Sequence, residues 1–233
     1  MSSAAAVKTY KKGAHIQITR CFNQREFDCK GSKSTSRCCC SETKLSVRLV
    51  RKLQIIRKKC GGAVYVNSAY RCPVHNSYVG GASSSYHMKG MAADIRVNGM
   101  TPAQVAKLAQ ELGFTGIGMY NGSSGRFTHV DIRPTPYFWN NTPGNSVTVK
   151  GHGGSHIRCP YELPLLTVRR GDKGEGVKAV QWILNSCGYG CSVDGVFGAN
   201  TEQRVREFQS DMLLAADGIV GSMTREALAD AEA

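Results

Sequence analysis

The sequence lacks any long hydrophobic run. Its N-terminal apolar stretch, Ala4–Val7, spans only four residues before polar and basic side chains return. A secretory signal peptide needs an apolar core of about 7–15 residues, and a membrane-spanning helix needs about 20. We therefore expect no signal peptide, no membrane span and synthesis in a cytosol.

Acidic residues are scarce: 17 Asp and Glu stand against 30 Lys and Arg, for a net charge of +13. Residues 1–60 carry 15 basic and 3 acidic side chains, residues 61–166 carry 8 and 4, and residues 167–233 carry 7 and 10. A basic front half favours an anionic partner, such as a cell-wall polymer, a membrane surface or nucleic acid. No aromatic pattern or motif supports nucleic acid, so we predict no nucleic-acid partner.

The basic residues of the first predicted helix have a second interpretation. Leu45, Leu49, Leu53 and Ile56 recur at helical spacing, and most basic residues of the segment fall off that stripe. Those residues are Arg48, Arg51, Lys52, Lys58 and Lys59. A solvated helix face explains them at least as well as an anionic partner does.

Ten cysteines would suit a secreted disulfide framework, but a chain without a signal peptide is expected to keep its thiols reduced. The adjacent residues Cys38, Cys39 and Cys40 cannot bridge one another without strain. We predict buried or free thiols. Three alternatives stay open. One is a structural zinc site that uses Cys29 and this cluster, although the spacing matches no standard ligand pattern. The others are partial disulfides and a contact between Cys187 and Cys191.

The chain divides by composition into three parts. Residues 1–140 contain helical and alternating strand patterns, among them a helix that starts at the cap Thr101-Pro102 and a strand over 127–132. Residues 141–166 are rich in Gly, Pro, Asn and Ser, which is typical of a linker, and His152 and His156 are interpreted as incidental linker residues. Residues 167–233 form a second domain.

That second domain contains an internal repeat. Residues 194–201 and 217–224 both read DGxxGxxT, an Asp-Gly turn followed by a helix start. Apolar residues at helical spacing precede and follow the first copy. The repeat predicts a small three-helix module.

Three residues of the first domain could bind a metal ion. His87 and Asp94 flank Gly90, and His129 stands on the strand over 127–132, where Asp131 points to the same side. Two imidazoles and a carboxylate suit a zinc site with one open position. The spacing alone also fits an ordinary surface histidine near a turn aspartate.

The order of several motifs resembles a known family. The motifs are SAYRCPVHN at 68–76, VGGA at 79–82, SxHxxGxAxD at 85–94 and HVD at 129–131. Together they resemble the D-Ala-D-Ala carboxypeptidase type of zinc peptidase, in the superfamily named for lysostaphin, D-Ala-D-Ala metallopeptidases and sonic hedgehog. The resemblance covers residues 15–139 and implies an α+β fold whose small antiparallel sheet carries Zn²⁺ on His87, Asp94 and His129.

The resemblance also implies roles for residues around the zinc site, and for two of them a second role stays open. Several relatives place an acidic base three positions before the last histidine, where this chain has Arg126, so Asp131 is the candidate base or else a group that orients a zinc ligand. Arg71 is expected near the substrate carbonyl or carboxylate, or in a structural ion pair. Ser85 and Tyr86 are expected to line the substrate cleft.

Residues 168–228 resemble the peptidoglycan-binding domain of cell-wall hydrolases, through the two DGxxG turns together with Val180-Gln181 and Phe208-Gln209. The two resemblances together imply a monomeric bacteriophage or prophage endolysin that cleaves a peptide bond next to a D-amino acid. Such a protein is expected to be made in the bacterial host cytoplasm and to act on the cell wall after release. Its partners would be peptidoglycan and anionic wall polymers. The alternatives are a D-Ala-D-Ala carboxypeptidase without lytic activity and a non-catalytic wall-binding protein.

Overall fold

The structure is a computed structural model that describes residues 6–32, 38, 40–122, 125–142, 145–149 and 157–232. For 141–149 it describes the backbone alone. Cys39, His152 and His156 lie outside the described residues.

Strands and helices alternate through the first domain, and helices alone make up the second. The strands are β1 (Val7–Lys11), β2 (Gln17–Thr19), β3 (Phe22–Asn23), β4 (Glu42–Ser46), β5 (Val64–Ser68), β6 (Ala92–Val97), β7 (Gly116–Gly122), β8 (Gly125–Asp131), β9 (Tyr137–Thr142) and β10 (Asn145–Val149). The helices are α1 (Val47–Cys60), α2 (Pro73–Tyr78), α3 (Pro102–Glu111), α4 (Glu175–Ser186), α5 (Ala199–Asp211) and α6 (Ser222–Glu232), with a 3-10 turn at Gln24–Phe27. The predicted α+β class and C-terminal three-helix module are confirmed.

One six-stranded sheet, in the order β10-β9-β7-β8-β6-β5, organises the first domain. Its neighbours are antiparallel as predicted, except for the parallel pair β7 and β9. One face packs against α1 and α3 through buried apolar residues such as Ile95, Ile117 and Val130. The opposite face therefore remains available for a site.

Two predicted helices form, the second with the cap expected for it. Ser46 caps α1, and the side chains of Thr101 and Gln104 form a capping box at the start of α3, where Pro102 occupies the first turn. Leu49, Leu53 and Ile56 are fully buried, but Leu45 belongs to β4 and not to the helix. No helix among the described residues is long and apolar enough to cross a membrane.

The interpretation of the basic α1 residues as a solvated face is wrong for Arg51 and Lys52. Helix α6 packs on α1, and Arg51 forms ion pairs with Asp230 at 2.6 Å and Glu226 at 3.3 Å. Lys52 is fully buried and donates to the Leu112 carbonyl oxygen at 2.6 Å, and burial lowers its pKa to about 7. Arg51 thus pairs with acidic residues of the C-terminal domain, and Lys52 binds the carbonyl at the end of α3. Helical periodicity cannot reveal either partner.

The two DGxxGxxT repeats form the same hydrogen-bond network. At the first turn, the Gln181 amide nitrogen donates to the Asp194 carboxylate, the Val196 carbonyl and the Thr201 hydroxyl. At the second turn, Gln209 makes the equivalent bonds. A buried glutamine from the preceding helix thus anchors each turn and satisfies its buried polar groups.

The sheet continues past residue 140, where the linker is predicted to begin. Strands β9 and β10 pair as a hairpin up to Val149 and add the outer edge of the sheet. The Pro143-Gly144 dipeptide between them is a turn signal as well as a linker signal, so composition does not separate the two.

Candidate metal centre

Adjacent strands bring the three predicted ligands together. Asp94 on β6 pairs in register with His129 on β8, and both side chains point away from the helices. His87 precedes β6, and the chain reaches that strand through Gly90, whose φ is +70°. A Cβ added at Gly90 would overlap the backbone of Lys44, so this close approach requires glycine.

The ligand atoms lie at the separations of a zinc coordination sphere. The His87 Nε2 to His129 Nδ1 distance is 3.0 Å, His129 Nδ1 to Asp94 Oδ1 is 2.9 Å, and His87 Nε2 to Asp94 Oδ1 is 3.2 Å. Tetrahedral zinc with bonds of about 2.0 Å separates its ligand atoms by about 3.3 Å. The donor set and its spacing therefore fit zinc, and all three side chains are buried.

Each histidine is oriented by a hydrogen bond at its outer nitrogen. His87 Nδ1 lies 2.6 Å from the carbonyl oxygen of Ala69, and His129 Nε2 lies 3.0 Å from Oδ2 of Asp131. Both partners are acceptors, so these outer nitrogens carry the hydrogens. The inner nitrogens then present lone pairs to the centre of the cluster, as metal-binding histidines do.

Asp131 lies behind His129 and not in front of it. Its side chain is fully buried, and the Arg133 guanidinium and backbone N–H donate to its carboxylate. Although burial raises the pKa of Asp131, the bonds from Arg133 and His129 bring it to about 2. A Cβ added at Gly116 would overlap this carboxylate, so glycine on β7 provides the space that Asp131 occupies.

The other titratable groups of the cluster influence one another. Burial raises the pKa of Asp94, but His87 and His129 hold it well below its usual range. Burial lowers the pKa of His87. Burial also opposes charge on His129, yet the carboxylates of Asp131 and Asp94 raise its pKa. Both carboxylates are thus ionised and able to accept hydrogen bonds or bind a cation.

Arg71 combines both arrangements expected for it. Its Nη2 atom lies 2.7 Å from Asp94 Oδ2, and its Nε atom donates to the Ser68 hydroxyl at 3.0 Å. Its side chain also lines the cleft in front of the cluster. The cation is therefore fixed by a metal ligand and still faces the space in which a substrate would lie.

A cleft lies in front of the three ligands. Ser85 and Tyr86 line it. The sequence did not indicate its other lining residues Tyr120, Phe127, Arg133, Tyr137 and Trp139. The Arg133 guanidinium carbon lies 4.8 Å from the Tyr86 ring centroid and 5.4 Å from that of Trp139. This stack closes one end of the cleft with a cation held between aromatic rings.

Trp139 reaches the centre because β7 carries a second glycine. Its ring centroid lies 5.0 Å from that of His129, and a Cβ added at Gly118 would overlap the indole. The alternating glycines Gly116 and Gly118 are the signal in the sequence that could have revealed this wall. Because glycine has no side chain, β7 leaves space on one face, and larger side chains from β8 and β9 fill it.

Arg126, which replaces the expected acid, lies on the other face of the sheet. Strand β8 pairs with β7 without a bulge from Gly125 to Asp131, so residues 126 and 129 point in opposite directions. Arg126 lines a separate cavity beside α3. Among the described residues that line the cleft, Asp94 is the only acidic one.

Comparison with known proteins gives a match for each of the two domains. Residues 20–131 match the family model described as Peptidase M15, and residues 173–228 match that of a peptidoglycan binding domain. The zinc D-Ala-D-Ala carboxypeptidase of Streptomyces albus G is 42% identical over 82 residues, which cover 35% of this chain and 32% of that protein.

Two further proteins resemble parts of the chain. An uncharacterized protein in the bpoA1 3'region of Kitasatospora aureofaciens is 49% identical over 55 residues, which cover 23% of this chain and 47% of that protein. The crystal structure of the SleB N-terminal domain is 36% identical and covers 31% of this chain and 100% of that one, with a TM-score of 0.30. The chain thus spans less than half the length of the two curated relatives.

Proposed function

Since this chain joins a Peptidase M15 domain to a peptidoglycan-binding domain, as its motifs predicted, we propose that it is a zinc-dependent peptidoglycan hydrolase. The cluster of His87, Asp94 and His129 at the base of a cleft is the observation that carries the proposal. Its reaction is hydrolysis of a peptide bond next to a D-amino acid in the stem peptide or cross-link.

The chain's own residues supply the binding site and its orientation. His87, Asp94 and His129 would hold the metal, while the Ala69 carbonyl and Asp131 fix the two imidazole rings. A zinc ion held there would supply Lewis-acid chemistry for peptide-bond hydrolysis. Arg71, fixed by Asp94, directs its charge toward the oxygen on which negative charge develops.

We assign Asp131 the orienting role and not that of the general base. Its carboxylate contacts the His129 nitrogen that faces away from the cluster, and it has no exposed surface. A base must come within about 3 Å of the proton that it accepts, or within one water molecule of it. The buried position behind the ring supports orientation.

The cleft wall suits a short peptide with a carboxylate. Arg71 and Arg133 provide two cations, and Tyr86 and Trp139 provide apolar surface that excludes water around them. Guanidinium groups bind carboxylates through paired hydrogen bonds. Stem peptides carry free carboxylates, and the relative from Streptomyces albus G is named for D-Ala-D-Ala as its substrate.

We further propose that the activity is lytic, as in an endolysin. The peptidoglycan-binding domain would keep the enzyme on the wall and raise the local concentration of cross-links. The basic residues 1–60 would add attraction to anionic wall polymers. The name of the Streptomyces relative favours the second candidate, a carboxypeptidase that removes terminal D-alanine and leaves the wall intact.

Purified walls test the proposal by their loss of turbidity. We expect lysis by the wild-type chain, a loss of at least about 1,000-fold for His87→Ala, and loss with a chelator that added zinc reverses. Arg126→Ala is the matched control, because that side chain lies outside the cleft, and it should lyse walls normally.

Mass spectrometry of fragments from defined muropeptides separates the two candidates. New amino termini within cross-links identify an endopeptidase, whereas free D-alanine without turbidity loss identifies the carboxypeptidase. Lysis that persists in both the chelator and His87→Ala would falsify the zinc mechanism.

A further inference from the structure

A second group of potential metal ligands lies apart from the cleft. Four cysteines contribute to it: Cys29 after the 3-10 turn, Cys38 and Cys40 before β4, and Cys72 at the N-cap of α2. Cys29, Cys38 and Cys72 are at most 6% exposed, and Cys40 is partly exposed. They form a small cluster with Tyr70 that is separate from the main hydrophobic core.

The four sulfur atoms lie close to one another. Cys38 Sγ is 3.7 Å from Cys29 Sγ, 3.9 Å from Cys72 Sγ and 3.2 Å from Cys40 Sγ, and Cys29 Sγ is 3.9 Å from Cys72 Sγ. All four lie within 4.8 Å of one another. Zinc bound to four thiolates at about 2.3 Å separates its sulfurs by about 3.8 Å.

A disulfide explains these separations less well. Bonded sulfurs lie about 2.05 Å apart, and a disulfide joins only two of them. Here one sulfur, that of Cys38, stands at similar distances from three others. Convergence of four sulfurs on one centre is the arrangement that a single tetrahedral ion requires.

Lys12, and His75 in the tautomer with a hydrogen on Nδ1, are placed to offset the charge of four thiolates. Lys12 Nζ donates to Cys38 Sγ at 3.3 Å, and His75 Nδ1 lies 3.2 Å from Cys29 Sγ. Zinc with four thiolates carries a net charge of −2, so nearby N–H donors stabilise it. The cluster therefore has ligands and a second layer of groups around them.

We propose that Cys29, Cys38, Cys40 and Cys72 bind a structural zinc ion, distinct from the one held by His87, Asp94 and His129. Binding displaces the thiol protons and ties the N-terminal segment to the start of α2. Cys72 follows Arg71, and Ala69, whose carbonyl orients His87, stands three positions earlier. The ion thus holds in place the segment that supports the cleft.

Zinc content distinguishes this site from the catalytic one. We expect two zinc ions per full-length wild-type chain by elemental analysis and one in His87→Ala/His129→Ala, in which the thiol site is intact. Cys29→Ser/Cys72→Ser should hold one. Cys21→Ser/Cys60→Ser is the matched control, because those thiols lie outside the cluster, and it should hold two.

Cobalt provides a spectroscopic test that needs no cysteine variant. Loaded with Co²⁺ after zinc removal, His87→Ala/His129→Ala should show intense thiolate-to-cobalt charge transfer and the visible bands of tetrahedral cobalt. The proposal is overturned if this variant holds no zinc and its cobalt form lacks charge transfer, or if alkylation under denaturing conditions finds these cysteines paired as disulfides. Neither readout depends on wall hydrolysis, so the outcome is separate from that of the proposed function.

Discussion

The two ligand clusters of the first domain are built in different ways. Asp94 and His129 stand opposite each other on hydrogen-bonded strands, so the sheet register sets their separation. Cys29, Cys38 and Cys72 come from loops and a helix cap, and 43 positions separate the first from the last. The difference teaches that ligands within an ordered set of motifs can be identified from sequence, whereas for the cysteines the sequence leaves a zinc site open and only folding shows which four sulfurs meet.

Removing the group that orients His129 should produce the largest difference in zinc affinity between the two ligand clusters. We expect Asp131→Asn to weaken zinc binding at the catalytic cluster and wall hydrolysis by about 10–100-fold, because the ring loses its charged acceptor. Zinc at the thiol cluster should be unchanged. Competition with a chromogenic chelator measures both affinities.

That experiment also separates the two roles considered for Asp131. If the residue were the general base, Asp131→Asn would lose hydrolysis while zinc affinity at the catalytic cluster stayed normal. Such a result would contradict the orienting role.

Adding one methyl group to β7 tests how far the sheet determines the site. We expect Gly118→Ala to cost about 1–3 kcal/mol of unfolding free energy, because the new Cβ overlaps the Trp139 indole beside His129. Hydrolysis should fall with it. Chemical denaturation and the wall assay measure the two effects.

Gly198→Ala is the matched control in the other domain. Its φ is −85°, and no atom lies within 4 Å of the added Cβ, so the expected cost is only that of alanine as a poorer N-cap of α5, about 0.5–1 kcal/mol. Equal losses for the two variants would show that the clash with Trp139 does not determine the effect.

Placing an acid at position 126 should have the smallest effect. Arg126→Glu should change hydrolysis of a small muropeptide by less than about twofold, because residue 126 lies on the face of β8 opposite His129. Initial rates at saturating substrate measure the change, with Arg126→Gln as the neutral control. A large gain specific to glutamate would mean that β8 shifts its register in the active enzyme.

The sequence by itself determined the features that depend on neighbouring residues. The capped helix at Thr101-Pro102, the strand that bears His129 and the two DGxxGxxT turns follow from local spacing and turn chemistry. The ligand set of His87, Asp94 and His129 was also predicted, through motif order and family resemblance.

Only the tertiary structure decided features that join distant parts of the chain. It paired Arg51 with α6, buried Lys52 against the end of α3, and brought Trp139 over Gly118. It also gathered Cys29, Cys38, Cys40 and Cys72 around one point. The physical reason is that these contacts depend on how whole elements pack, and pattern within a single element carries no information about the surface that it will meet.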